Sequence, residues 1–374
     1  MDVDWKSVRR VLVVRLRSIG DTVLSTPSLI ALKRFLPEAD VDILLEDWVA
    51  PLLDGFDSVD RVIVTRDDFR SRLKAAREIR RQKYDVVFNL HGGPTSGLFV
   101  RVSGADHRVG YENYRWPSIY NHRLSSPADF WKRDENHSAE QQLALLGFVG
   151  VPVEDRPPSR LIVTSSASTS LAKKFDLAGA TFNETAPFAL LHPAAAFETK
   201  QWDARNFARV ADALRERGLK TIAVAAKDER QVLDALEHST AADIITFDNL
   251  ALPEISALAS KAELFVGNDS GIAHIAGALN TPSVVIFGSS NRVHWRPWTA
   301  APNEVVFESF HCQPCPGFEC REFGDAPCIR NVTVESVVAA IDRVLAQKRA
   351  DPKTRPRPRR DQVLTAPPQA APVM

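Results

Sequence analysis

Short apolar runs rich in β-branched residues alternate with amphipathic segments along most of the chain, and this alternation restricts the folds open to it. In the first half the runs are RRVLVVRL (9–16), DVDILLE (40–46), RVIVT (61–65) and YDVVFNL (84–90), with helical patterns such as PSLIALKRFL between them. This order is typical of βαβ units, in which helices cover both faces of a parallel sheet.

A second series of the same kind begins near residue 186, with strand-like runs such as KTIAVAA, LFVGN and SVVIFG. The proline-rich stretch VPVEDRPPSR between the two series is predicted to be a linker. A chain of 374 residues is long enough for two domains. We therefore predict an α/β protein with two Rossmann-like domains, residues 1–155 and 156–347, whose ligands bind at the carboxyl ends of the strands.

Two segments do not follow these patterns. Between about residues 108 and 128, the aromatic and basic stretch RVGYENYRWPSIYNHRLSS has no clear period. Residues 348–374 are rich in proline, arginine and alanine, and we predict that they form a disordered basic tail. Basic residues in such a tail can attract anionic lipid at about 1 kcal/mol each, and a solvated tail without a partner is the alternative.

Charge and hydropathy argue against several classes of protein. Lysine plus arginine and aspartate plus glutamate both number 47, so no net charge draws the chain to nucleic acid. The amino terminus lacks a signal-peptide pattern, and no apolar run reaches the 18 or more residues of a transmembrane segment. We expect a cytoplasmic protein that meets a membrane only peripherally, at the cytoplasmic face of the inner membrane.

All four cysteines lie in the stretch CQPCPGFECREFGDAPC, with the spacing C-x2-C-x4-C-x7-C. Their absence elsewhere is typical of a reducing compartment. Four thiols this close could bind a structural zinc or iron, or could simply be reduced and packed, and both interpretations remain open. We assign no metal ligand and expect no catalytic cysteine. The residues concerned are Cys312, Cys315, Cys320 and Cys328.

Two turns that follow predicted strands carry charged side chains. In VRLRSIGDTVL, Gly20 permits close backbone approach or a positive φ, and the helix after it directs free N–H groups into the crevice above the sheet. Asp21 either caps this helix or places a carboxylate where a substrate hydroxyl arrives. In LLHPAAAFETKQW, Lys200 beside Trp202 either binds phosphate as a point charge or lies on a surface turn.

The stretch LFVGNDSGIAHIAGALNTPSVVIFG (264–288) is predicted to form a strand, a polar turn and a helix. Its small residues let the helix lie close to the sheet, with its amino end open to an anion. An acid at a phosphate site is repulsive, so we expect Asp269 to face sugar hydroxyls. His274, one turn further on, either joins this site or packs as a satisfied histidine.

Taken together, the segments RLRSIGDTVLSTPSLIALK, HPAAAFETKQWDARNFARVADAL and VGNDSGIAHIAGALNTPSVVIFGSSNRVHWRPW resemble glycosyltransferase family 9, the ADP-heptose:lipopolysaccharide heptosyltransferases. The likeness extends over roughly residues 8–347 and includes the cysteine-rich stretch. It implies a GT-B fold, with an N-terminal acceptor-binding domain and a C-terminal nucleotide-sugar-binding domain facing each other across a cleft. It also implies an inverting, metal-independent transfer without a cofactor, in which ADP leaves.

The resemblance also assigns roles to individual residues. It implies that Asp21 is the catalytic base, which accepts the proton of the acceptor hydroxyl. Lys200 matches the lysine on the donor diphosphate, where it stabilises charge on the leaving group. Asp269 matches the acid that holds the donor sugar. The remaining donor-binding residues are implied to be Ser270, Gly271 and His274 at the phosphates and Asp228 at the ribose, with Glu229 as an alternative.

The acceptor side is less constrained by the resemblance. Where the family commonly has HPGA, this chain has HPAA, with Ala194 in place of a glycine. NLHGGPTSG and VGYENYRW fit the general pattern of the family without identifying a sugar. Arg101, Arg108 and Arg115 could meet acidic acceptor groups or form surface ion pairs. The predicted acceptor-binding residues are Ser18, Gly20, His91 and Arg115.

The leading hypothesis is therefore an enzyme that transfers a heptose from ADP-heptose to the inner core of lipopolysaccharide, a lipid-linked glycan at the membrane surface. One alternative is a nucleotide-sugar epimerase of the same fold, which would interconvert a free nucleotide sugar without an acceptor. The other is a non-catalytic, nucleotide-sugar-binding or protein-modifying scaffold organised by the cysteine cluster. The exact acceptor, the exact donor sugar and the oligomeric state stay open.

Overall fold

A computed structural model of the protein describes residues 2–179, 186–315 and 317–350. Within these ranges, six parallel strands form an N-terminal sheet: Arg10–Leu16 (β1), Asp40–Glu46 (β2), Arg61–Thr65 (β3), Val86–Asn89 (β4), His107–Tyr111 (β5) and His122–Leu124 (β6). Their order across the sheet is β3-β2-β1-β4-β5-β6. The order reverses between β1 and β4, so a ligand crevice is expected where these two strands end.

Six further parallel strands form a C-terminal sheet: Phe188–His192 (β7), Lys220–Val224 (β8), Ile244–Phe247 (β9), Leu264–Asn268 (β10), Ser283–Phe287 (β11) and Asn303–Phe307 (β12). Their order, β12-β11-β10-β7-β8-β9, repeats that of the first sheet. The corresponding crevice lies at the ends of β7 and β10. The α/β architecture predicted from the alternating pattern is therefore confirmed.

Helices connect the strands and cover both sheets. Side chains of Asp68, Thr164 and Asp203 cap three of them by accepting backbone N–H groups of the first turn. The N-terminal helices are Ile19–Val23 (α1), Thr26–Phe35 (α2), Phe69–Gln82 (α3), Pro94–Ser103 (α4), Pro127–Trp131 (α5) and Ser138–Phe148 (α6). The others are Ser165–Leu177 (α7), Ala204–Glu216 (α8), Arg230–Ser239 (α9), Leu252–Lys261 (α10), Gly271–Ala278 (α11), Arg292–Trp295 (α12), Pro327–Arg330 (α13) and Val334–Ala350 (α14).

Several features differ from the sequence-based expectations or extend them, and β12 (Asn303–Phe307), which was not predicted, is one of them. The aromatic segment without a clear period contains β5 and β6, which complete the N-terminal sheet. Helix α7 follows the proline-rich linker and was not predicted. Helix α14 continues to Ala350, so Lys348 and Arg349 are helical rather than part of a disordered tail. The remainder of the predicted tail, residues 351–374, lies outside the described residues.

The two domains share one apolar core. A continuous cluster of buried side chains includes Leu29 and Leu52 of the first domain and Leu258 and Ile275 of the second. The first turns of α1 and α11 pack against each other across the cleft. The carboxyl ends of the two sheets are thereby held close together. In the described ranges, no helix has both the length and the apolar character needed to cross a bilayer.

Candidate active site

The cleft between the domains contains a cavity of about 540 Å³, which we call the cleft cavity. Three turns that follow strands contribute to its wall: residues 18–21 after β1, residues 195–200 after β7 and residues 269–271 after β10. Parallel strands place these turns at the carboxyl edges of the two sheets. Asp21, Lys200 and Asp269, which are separate in the sequence, thus line one cavity.

Asp21 is the third residue of α1 and is held by two neighbours. Arg15 of β1 forms an ion pair with it, and Ser18 donates from its hydroxyl (3.2 Å) and from its backbone N–H (3.4 Å). Burial by itself raises the pKa of Asp21, but the charge of Arg15 and these hydrogen bonds outweigh it and lower the pKa. Asp21 is therefore ionised at neutral pH. The carboxylate caps α1 and also faces the cleft cavity.

Lys200 and Asp269 lie on facing turns and pair with each other. The Lys200 Nζ is 2.9 Å from the Asp269 Oδ2, and Ser290 donates its hydroxyl to the same oxygen at 2.5 Å. Lys200 also lies over the ring of Phe197, 5.5 Å from its centroid. Both partners line the cavity. A diphosphate entering here would meet a cation that is already positioned by a carboxylate and an aromatic ring.

The amino end of α11 opens into the cleft cavity through Ser270, Gly271 and Ile272. The backbone N–H groups of Gly271 and Ile272 have no hydrogen-bond acceptor among the described residues. Such groups at a helix start attract anions, because the helix dipole places partial positive charge there. The Ser270 hydroxyl lies 3.2 Å from Nδ1 of His192, whose pKa is lowered to about 4 by burial.

Two glycines allow α1 and α11 to approach. A Cβ on Gly20 would lie 2.7 Å from Cδ2 of His274, and a Cβ on Gly271 would lie 2.6 Å from Cβ of Ile19. Close approach, rather than a positive φ, is thus the reason for glycine at position 20. His274 is buried, its Nδ1 has no partner among the described residues, and burial lowers its pKa. It is therefore packed and also lines the cavity.

One part of the cleft cavity is apolar. Its wall is formed by Val224, Leu250, Leu252 and Ile255, and it is suited to a flat, weakly polar group such as a nucleobase. Glu229 lines this cavity, and its carboxylate accepts the N–H of Ala226 at 2.9 Å. Asp228 is exposed and is not among the lining residues, so of the two candidate acids Glu229 is the one placed at the cavity.

A second cavity, of about 330 Å³, lies on the N-terminal side of Asp21, and we call it the α6 cavity because one face of that helix forms its wall. It shares Asp21 and Trp295 with the cleft cavity. Arg15 and His91 contribute to the wall near Asp21. Burial and the nearby Arg15 lower the pKa of His91, so its ring is neutral at pH 7.

The predicted acceptor-binding residues are distributed over both cavities and the surface. Ser18 and Gly20 line the cleft cavity, and His91 lines the α6 cavity. Arg115 lines neither, because it is exposed and lies over the ring of Trp116. Arg108 hydrogen-bonds the carbonyls of Ala105 and Ile119 and so stabilises the local fold.

The cysteine-rich segment packs behind the loop that carries Lys200. Thr199 is hydrogen-bonded to Ser289 (2.9 Å) and to the carbonyl of Gly317, and the rings of Phe197 and Phe318 lie 4.5 Å apart. All four cysteines are free thiols, and burial raises the pKa of Cys328 to about 11. Among the described residues, no His, Cys, Asp and Glu side chains are grouped in a way that suits a metal ion.

Several site residues were not anticipated from the sequence. Arg15 is a charged residue inside an otherwise apolar strand run, which was an available signal for a special role. Ser290 and Trp295 follow β11, and no sequence pattern around them indicates a role in the site. Gln141 and Gln142 interrupt an apolar helical stretch, a second signal that points to a polar lining.

Sequence comparison relates the chain to one group of enzymes. The model of Glycosyltransferase family 9 (heptosyltransferase) matches residues 72–324. Lipopolysaccharide heptosyltransferase 3 of Escherichia coli (strain K12) is 27% identical over 360 residues, which cover 91% of this chain and 98% of that protein. The similarity therefore extends over both domains.

Two solved structures share the fold. A family 9 glycosyltransferase from Veillonella parvula has a TM-score of 0.78 at 19% identity and covers 93% of this chain and 99% of its own. Escherichia coli heptosyltransferase WaaC, solved with ADP-2-deoxy-2-fluoro heptose, has a TM-score of 0.65 at 18% identity, with 89% and 99% covered. These likenesses confirm the GT-B fold predicted from the sequence motifs.

Proposed function

Because the chain belongs to glycosyltransferase family 9, we propose that it transfers a heptose from ADP-heptose to a sugar of a lipopolysaccharide inner core. The observation that carries the proposal is the position of Asp21 in the wall between two cavities. One cavity has the features of a nucleotide-sugar site. The other cavity also has Asp21 in its wall, so an acceptor hydroxyl bound there would lie beside this carboxylate.

On the donor side, the adenine occupies the apolar part of the cleft cavity and Glu229 lies near the ribose. The diphosphate lies against the amino end of α11 and the Nζ of Lys200. Asp269 accepts hydrogen bonds from the heptose hydroxyls. The curated heptosyltransferase relative and the WaaC complex with an ADP-heptose analogue favour this donor over other nucleotide sugars.

In the transfer step, an acceptor hydroxyl attacks the anomeric carbon, a new C–O bond forms, and the bond from that carbon to the ADP oxygen breaks with its electron pair. The hydroxyl proton passes to the carboxylate of Asp21. A carboxylate with a lowered pKa is a weak base, so Asp21 contributes chiefly by position and by accepting the proton late, as the hydroxyl becomes acidic. Lys200 and the α11 N–H groups stabilise charge on the departing ADP.

We propose that the enzyme works in the cytoplasm, against the anionic inner membrane, through the outer face of α3. Phe69 and Leu73 are exposed on this helix, at 78% and 36%. Arg70, Lys74 and Arg77 on the same helix form no ion pair with any described residue. Exposed apolar side chains among free cations favour an anionic lipid surface.

The direct test is transfer of labelled heptose from ADP-heptose to deacylated inner-core oligosaccharide. We expect turnover that survives EDTA, and an Asp21→Asn variant that binds ADP-heptose normally but turns over at least 100-fold more slowly. Preference for a UDP-sugar, or full activity of Asp21→Asn, would contradict the proposal. Conversion of a free nucleotide sugar without an acceptor would support the epimerase instead.

A further inference from the structure

One face of α6 contributes polar side chains to the wall of the α6 cavity. Ser138, Gln141, Gln142 and Leu145 follow the spacing i, i+3, i+4 and i+7, which places them on the same side of the helix, and all four line the α6 cavity. Leu143 and Leu146 of the same helix are fully buried in the apolar core. The helix thus directs Gln141 and Gln142, together with Leu145, toward the space beside Asp21.

Gln142 is a polar residue in this wall whose side chain lacks partners in the described part of the chain, and the Nε of Arg15 is a second such group. Its side chain is 5% exposed, and neither Nε2 nor Oε1 has a hydrogen-bond partner among the described residues. A buried amide without partners is destabilising by about 1–3 kcal/mol for each group left unsatisfied. Ligand hydroxyls that reach this amide would remove that cost.

The charges around the α6 cavity balance. The charged side chains in its wall are Arg15 and Asp21, which form an ion pair, and Arg15 also donates to the carbonyl of Leu90. Burial lowers the pKa of His91 and of His294, so both rings are neutral at pH 7. A sugar carboxylate or phosphate placed here would face the carboxylate of Asp21, and Arg15, the cation in the described part of this wall, is already paired with that carboxylate.

We infer that the α6 cavity binds an uncharged, polyhydroxylated acceptor sugar and that Gln142 determines this specificity by hydrogen-bonding its hydroxyls. The inference rests on the proposed function. A carboxamide offers donors at Nε2 and an acceptor at Oε1, so it can pair with two neighbouring hydroxyls at once, whichever way the amide is turned. A carboxylate or phosphate ester has only acceptors and would leave Oε1 unpaired.

The first test replaces the amide by an apolar side chain of similar size. Gln142→Met removes the unsatisfied amide, so unfolding in urea should occur at the same or a higher concentration. The acceptor KM should rise about 10-fold or more, while kcat and the dissociation constant of ADP change by less than about 3-fold. Leu146→Met, on the core face of the same helix, is the control and should leave all three constants unchanged. An unchanged acceptor KM in a folded Gln142→Met protein would overturn the inference.

The second test compares three acceptors: a methyl heptoside, the same heptoside carrying a phosphate monoester, and a methyl glycoside of a keto sugar acid. With ADP-heptose as donor, the uncharged heptoside should have a kcat/KM at least 10-fold above the other two. Transfer chiefly to a charged acceptor would overturn this inference and leave the heptosyltransferase function intact. Failure to bind ADP-heptose, measured separately by calorimetry, would count against the proposed function itself.

Discussion

The side chains of Lys200 and Asp269 form an ion pair beside the amino end of α11, with 2.9 Å between Nζ and Oδ2. The pair joins the turn after β7 to the turn after β10. Because Ser290 also donates to Asp269, the carboxylate keeps one partner when the lysine moves toward a phosphate. Donor binding can therefore redirect Lys200 without leaving a buried charge unpaired.

Lys200→Met should slow transfer by about 100- to 1,000-fold in kcat, because the charge that develops on departing ADP loses its nearest cation. The control is Lys227→Met, because Lys227 is exposed and does not line the cleft cavity, although Glu229 of the same turn does. Single-turnover rates with ADP-heptose measure the effect. Equal rates for the two variants would remove Lys200 from the reaction.

The pH dependence of the rate should reveal the pairing of Arg15 with Asp21. Because this pairing holds the pKa of Asp21 below its ordinary value, the base stays ionised and its titration should not affect kcat/KM between pH 5 and 8. In Arg15→Met, burial remains and raises the pKa of Asp21, so kcat/KM should fall as the pH is lowered from 7 to 5. Superimposable pH profiles would contradict this account of Arg15.

Gly20→Ala should destabilise the protein by about 1–3 kcal/mol, because its Cβ would lie 2.7 Å from the buried ring of His274. ADP binding should weaken as well, since the same contact holds the amino end of α11 in place. The double variant Gly20→Ala/His274→Ala should recover part of the lost stability in urea unfolding, because the smaller side chain makes room. If the changes in the free energy of unfolding of the two single variants simply add up in the double variant, the contact between position 20 and His274 is not the source of the strain.

The free energy of unfolding should decrease as the pH falls from 7 to 5. His192 has a pKa of about 4 in the folded protein and about 6.5 when unfolded, so only the unfolded chain binds its proton in this range. This favours unfolding by about 2 kcal/mol at pH 5. Urea titrations of the wild type and of His192→Asn at both pH values test it, and the variant should show the smaller decrease.

Membrane binding should depend on the outer face of α3. Phe69→Ser/Leu73→Ser should lower binding to phosphatidylglycerol-containing vesicles, and binding of the wild type should weaken at high salt. Leu177→Ser removes a leucine that is 86% exposed at the end of α7, and it should bind as the wild type does. Flotation on a density gradient measures the difference. Equal flotation of all three proteins would exclude this face.

Much of the fold could be predicted because most of the strands have an apolar run and several helices, such as α3 and α8, have an amphipathic pattern. The strands β5 and β6 were missed, since they are short and lie among tyrosines and basic residues whose environment is set by neighbouring strands. Helix α7 was missed because its polar residues outnumber its buried ones. Tertiary packing, rather than local propensity, determines these elements.

The site residues that could be predicted are those that directly follow a strand. Asp21, Lys200 and Asp269 share this position, and parallel topology brings such residues together. The position of Gln142 in the cavity wall could not be predicted from the sequence. This residue lies in the middle of a helix, and its role depends on which face of that helix meets the cavity. The choice between Asp228 and Glu229 depended on the direction of one turn, which a sequence pattern does not specify.

The contact of Gly20 with His274 and of Gly271 with Ile19 also limits how the enzyme can move. Any opening of the cleft must either break this buried contact or rotate about it. Rotation would expose less apolar surface than separation, so we expect any opening of the cleft to pivot at this contact. Asp21 and the amino end of α11 would then stay adjacent while the outer rims of the domains move apart.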